Sequence, residues 1–142
     1  MKKIFLILVL ISCKANLFAQ NNLKNAQLEY TANTRGFYQK ILINNQMIAI
    51  SNDRNDTLMT ANTKIDIKDW TFLTAEFKKL KLDEISKLKP PTQKRQYDGA
   101  AFADLKIILN GKTYQTQSFD NGFPNLKIKK FIDKITSLAK KK

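Results

Sequence analysis

Residues 101–138, AFADLKIILNGKTYQTQSFDNGFPNLKIKKFIDKITSL, decide the fold. They read strand, tight turn, strand, helix. Phe102–Leu109 is an apolar-rich run, and Asn110-Gly111 is the strongest short hairpin signal a sequence carries, because both turn positions need positive φ. Lys112–Phe119 is the returning strand, with Tyr114, Thr116 and Ser118 alternating against Thr113, Gln115, Gln117 and Phe119. Asp120-Asn121-Gly122 breaks it. Pro124 is then expected to open a helix running to Ala139, since a first-turn position loses nothing by lacking an N–H. Leu126, Phe131, Ile135 and Leu138 share one face of that helix, with Ile128 and Ile132 beside it. Lys127, Lys129, Lys130 and Lys134 face water, and Lys140–Lys142 suit the negative end of the helix dipole.

Working outward, the same plan precedes this unit. Gln27–Ala32 reads as a strand, Arg35-Gly36 as a turn and Phe37–Ile43 as a second strand. Asn44-Asn45 is expected to turn the chain into Gln46–Ser51, since Asn tolerates positive φ. Asn52–Asp56 is a polar loop, and Thr57–Thr60 reads as a short strand. Trp70, Leu73, Phe77 and Leu80 then fall on one face of a helix from Ile67 to Leu80, with Asp66 as N-cap and Asp69 in the first turn. Lys89-Pro90-Pro91 ends that segment, and Thr92–Gly99 is a long loop. Hairpins followed by helices define an α+β, two-layer domain: an antiparallel sheet with two helices packed on one face. Trp70, Phe77, Leu105, Ile107, Phe131 and Ile135 are expected to meet in its core.

Residues 1–19 have the pattern of a secretory signal peptide: Lys2-Lys3, the apolar run Ile4–Ile11, and Leu17-Phe18-Ala19 before a cut. The run is shorter than the roughly 17–25 residues that span a bilayer. Residues 20–26 are then a polar N-terminal tail and residues 27–142 one domain. The expected location is periplasmic or secreted. A second route stays open. Leu10-Ile11-Ser12-Cys13 resembles the bacterial lipobox, and lipidation of Cys13 makes the protein a membrane-anchored lipoprotein. Cys13 is the sole cysteine, so a chain cut after Ala19 forms no disulfide. Losing Lys2, Lys3 and Lys14 with the leader takes the formal charge from +13 to +10. That charge is nearly all lysine, with Arg35, Arg54 and Arg95 the only arginines. Since arginine is the residue that forks onto phosphates and bases, nucleic acid is disfavoured as a partner.

The chain contains no histidine, which removes the Ser-His-Asp triad, histidine–zinc sites and histidine general bases. No glycine-rich phosphate loop or metalloprotease motif is present, and no cofactor is implied. Carboxylate chemistry, a Ser/Lys dyad, or no catalysis remain. Asn52–Asp56 lacks the spacing of a calcium loop and carries Arg54 in its middle. Asp98-Gly99 and Asp120–Gly122 are turn chemistry, no motif surrounds Ser86 or Ser118, and the chain reads as a non-enzyme.

What apolar periodicity does not use is Arg35 and Tyr38 beside the first turn, and Arg95, Tyr97 and Asp98 in the long loop. Arg and Tyr dominate recognition surfaces. These five are the candidate binding residues, with the two segments expected at one end of the sheet. Leu28-Glu29-Tyr30, Arg35-Gly36-Phe37-Tyr38, Trp70, Asp98-Gly99-Ala100-Ala101 and Phe119–Gly122 with Pro124 together resemble a group of small uncharacterised exported proteins of Bacteroidota. The order of elements and Arg35-Gly36-Phe37 are also similar to emfourin-type inhibitors of thermolysin-like metallopeptidases, which implies a binding protein. The reading is a small exported non-catalytic binding protein, a peptidase inhibitor or another protein-interaction module, with a protein partner in the cell envelope or outside the cell. The alternative is a cell-envelope structural protein or lipoprotein held by Cys13, the one route to a membrane.

Overall fold

A computed structural model describes residues 22–141; the expected leader, Cys13 and the expected cut after Ala19 lie outside them. The segments read as extended build one antiparallel sheet. Its strands are β1 (Ala26–Thr34), β2 (Phe37–Asn44), β3 (Met47–Ser51), β4 (Thr63–Lys64), β5 (Phe102–Leu109), β6 (Lys112–Gln115) and β7 (Phe119–Asp120). The order is β4-β3-β2-β1-β5-β6, with β7 also on β5. Helices α1 (Ile67–Lys78) and α2 (Lys129–Ala139) complete the α+β two-layer architecture. No helix among the described residues is long and apolar enough to cross a membrane.

Alternation sets which face the helices cover. Ala26, Leu28, Tyr30 and Ala32 of β1 are buried together with Ile41 and Ile43 of β2 and Ala103, Leu105, Ile107 and Leu109 of β5. Leu73 and Phe77 of α1 and Phe131, Ile132, Ile135 and Leu138 of α2 close over them, and the Phe77 and Phe131 rings stand 5.7 Å apart. The opposite face carries Glu29, Thr31, Lys40, Asp104 and Lys106 at paired positions, as a sheet wetted on one side should. Glu29 and Lys106 are opposite each other and ion-paired at 2.7 Å.

The turns follow the backbone chemistry. Asn110 and Gly111 both take positive φ, 51° and 76°. The preceding hairpin turns one residue later than expected, at Asn45-Gln46, with φ of 47° and 63°. Gln46 is held there by Ile65, whose N–H donates to the Gln46 carbonyl while the Gln46 side-chain amide donates back. That exchange also explains why the short edge strand is Thr63–Lys64 rather than Thr57–Thr60.

Four other expectations are corrected. Leu23, assigned to the tail 20–26, is 0% exposed in a single 3₁₀ turn capped by Asn22, and Ala26 already belongs to β1. The returning strand does not run unbroken to Phe119. β6 pairs Lys106 with Gln115, β7 pairs Ala103 with Phe119, and the extra residue between them is a β-bulge. Pro124 does not start α2. Asn125 instead caps a separate turn, accepting from the Lys127 N–H and donating to the Lys89 carbonyl, which leaves Leu126 81% exposed. Finally, the inward stripe of α1 runs through Asp69, Leu73 and Phe77, so Trp70 sits at its margin, half-buried. Asp69 is tolerated inside because Lys134 and Lys141 reach it at 2.6 and 2.7 Å from α2 and its end.

Because Phe77 fills the interface of both helices and Trp70 only flanks it, Phe77→Ala should cost about 3–5 kcal/mol and Trp70→Ala less. Urea midpoints of the two variants check this; equal losses would place Trp70 in the core.

Candidate functional site

The register brings several segments to one end of the sheet. Asn33 of β1 lies opposite Tyr38 on one side and Phe102 on the other, and Thr34 lies opposite Phe37. β3 ends at Ser51 opposite Lys40, delivering the Asn52–Asp56 loop to the same end. Phe102 in turn opposes Asp120, which bridges to Phe123.

The long loop is pinned there by one carboxylate. Asp120 is 0% exposed, and both its oxygens are occupied. Oδ1 accepts from the Arg95 backbone N–H at 2.9 Å and the Arg95 guanidinium at 3.1 Å. Oδ2 accepts from the Thr92 hydroxyl at 2.5 Å and the Lys94 N–H at 2.7 Å. Burial alone would raise this carboxyl, but the donors from Thr92, the Arg95 and Lys94 backbone and the Arg95 guanidinium outweigh it and hold it at about 2. The next residue adds a second tie: the buried Tyr30 hydroxyl donates to Asn121 Oδ1 at 2.6 Å. Burial raises the Tyr30 phenol, so it remains a donor.

Of the five candidate binding residues, the structure separates structural from exposed. Arg95 is buried, its guanidinium spent on Asp120 and the Thr92 carbonyl, so it is an anchor and not a contact residue. Tyr97 is 71% exposed, and Asp98 beside it is exposed with φ 60°, ending the 3₁₀ turn Lys94–Tyr97. Arg35 is exposed in the β1–β2 turn, and Tyr38 is half-buried. The Arg54 guanidinium lies 5.6 Å from the Tyr38 ring centre and donates to the Thr34 and Phe37 carbonyls, clasping that turn from the neighbouring loop. Arg54 therefore organises a hairpin end. Among the described residues no group of acids forms a metal cage.

Sequence reasoning missed Phe102 and Phe123, both about half exposed at this end, and Lys94, whose ammonium stands 4.7 Å from the Phe123 ring centre. Phe102 begins an alternating strand and so passes for sheet; its exposure follows from the strand's terminal position. Phe37, 40% exposed, walls two hollows. One, of about 310 Å³, lies between Arg35–Tyr38 and Asn52–Asn55. The other, of about 260 Å³, is closed by Gln39, Asn121, Gly122 and the Ile132, Asp133, Thr136 and Lys140 side of α2. Chemically the end offers flat aromatic area with charges of both signs, Arg35, Arg54 and Lys94 beside the exposed acids Asp53, Asp56 and Asp98. Comparison with family models, curated proteins and solved structures finds no match.

The Asp120 carboxyl predicts an acid limb. Its folded-state value, about 2, lies below the unfolded value near 4, so its stabilisation is complete above about pH 4 and is lost as pH falls through 2. Asp69, held down chiefly by Lys134 and Lys141, adds loss of the same sign. Thermal unfolding across pH 2–6 should show a shallower acid slope in Asp120→Asn than in the wild type; identical slopes would deny the carboxylate its role.

Proposed function

We propose that this is an exported protein-binding module whose contact surface is the aromatic end of the sheet, with a peptidase as the partner class that the emfourin resemblance suggests. The observation that carries the reading is the gathering of Phe37, Tyr97, Phe102 and Phe123, all substantially exposed, with Arg35 at one end. Water-exposed aromatics cost solubility and contribute nothing to this core. Tyr, Phe and Arg are the side chains enriched at protein interfaces, where they supply large contact area at low entropy cost. Their supports are rigid: paired strand ends, the Arg54 clasp and the Asp120 anchor.

A partner surface of about 800 Å² is the usual size for such a contact. It would take in the Arg35 turn, the Tyr97 turn and the strand ends between them.

Inhibition of a thermolysin-like metallopeptidase by the exported chain is the direct assay. Arg35→Ala with Tyr97→Ala should leave the unfolding midpoint nearly unchanged, because neither side chain is buried, and should raise the inhibition constant at least about tenfold, as loss of interface anchors does. Equal inhibition by the double variant removes this end as the contact surface. No inhibition by the wild type removes the peptidase as partner.

A further inference from the structure

The helical layer holds a cleft that the aromatic end does not use. It lies where α1 has ended, the 3₁₀ turn Leu82–Lys87 follows, and the chain later enters α2. Its walls are Leu80, Ile85, Leu88 and Ile128. Its volume, about 260 Å³, falls below the roughly 300–1,000 Å³ typical of drug-sized ligands. Walls made of aliphatic side chains grip methylene groups, and a narrow cleft of this size suits one alkyl chain.

The rim supplies the sign of the headgroup. Lys79, Lys81 and Lys127 surround the opening, against the single acid Glu84. Lys79 is already paired with Glu76 at 2.7 Å. Lys81 and Lys127 are exposed and make no ion pair among the described residues. Beside them, α2 begins at the Ile128 wall with no side-chain cap and no acid in its first turn.

We propose that this cleft binds a single-chain anionic amphiphile of the fatty-acid class, with the alkyl chain between Leu80, Ile85, Leu88 and Ile128 and the carboxylate against Lys81 and Lys127. Apolar contact supplies the affinity and the two ammonium groups select the headgroup.

Titration of the chain with acetate, hexanoate, octanoate and decanoate, each below its micellar concentration and followed by amide NMR, tests this. Affinity should climb by about fourfold for each methylene buried until the cleft is full, with the shifts centred on Leu88 and Ile128. Decyltrimethylammonium should not bind. Lys81→Glu with Lys127→Glu should weaken decanoate by about tenfold while leaving thermal unfolding unchanged, since both residues lie in water. Leu88→Trp, filling the cleft from its half-buried wall, should abolish binding. Decanoate binding no better than acetate, or equally well to the charge-reversed variant, overturns the proposal. So does binding confined to anionic phospholipid vesicles, which would make the lysines a membrane-facing surface and leave the cleft unused.

Discussion

The buried Asp120 carboxylate is the interaction on which the candidate surface depends. A charge taken wholly out of water is costly unless it is fully paired. Here four donors meet it, and all four come from Thr92, Lys94 and Arg95. The segment carrying Tyr97 has little apolar content to bury, so its position is fixed by this electrostatic tie and not by packing. Asn121, next in sequence, takes the Tyr30 hydroxyl and couples the same short strand to the core. Removing the Arg95 side chain would leave the carboxylate buried without its guanidinium partner, which is why its role is structural despite its type.

The helical layer is held by the same device. Asp69 lies on the inward stripe of α1, and lysines from α2 and its end reach across to it. Burying an acid there forgoes some apolar contact, but it orients one helix against the other where aliphatic packing alone leaves the angle soft. Both buried acids are thus met by groups distant in sequence, and both convert a polar intrusion into a fixed geometry.

The hairpins, the helix faces and the two-layer class were legible because their signals are local: Asn110-Gly111, the Asp66 cap and the Leu73–Phe77 spacing each act within a few residues. What was not legible depends on contacts between distant segments. Asp120 looks like a turn residue until the Thr92–Arg95 segment is placed on it. Arg54 looks like loop filling until the Thr34 and Phe37 carbonyls come within its reach. Pro124 looks like a helix start, but Asn125 binds the Lys89 carbonyl and delays α2 to Lys129. The Arg35 turn and the Tyr97 turn meet at one end because β1 pairs with both β2 and β5 and Asp120 holds the Thr92–Arg95 segment there, and Phe123 joins them where β7 returns to β5.

Amide hydrogen exchange at Lys94 and Arg95 measures the central tie directly, because both N–H groups donate to Asp120 and to no strand partner. If the carboxylate organises this end, both amides exchange slowly at neutral pH, with protection approaching that of β5, and Asp120→Asn releases them together. Exchange at the rate of an open loop in the wild type would show that the Tyr97 segment is not held, and would contradict the account.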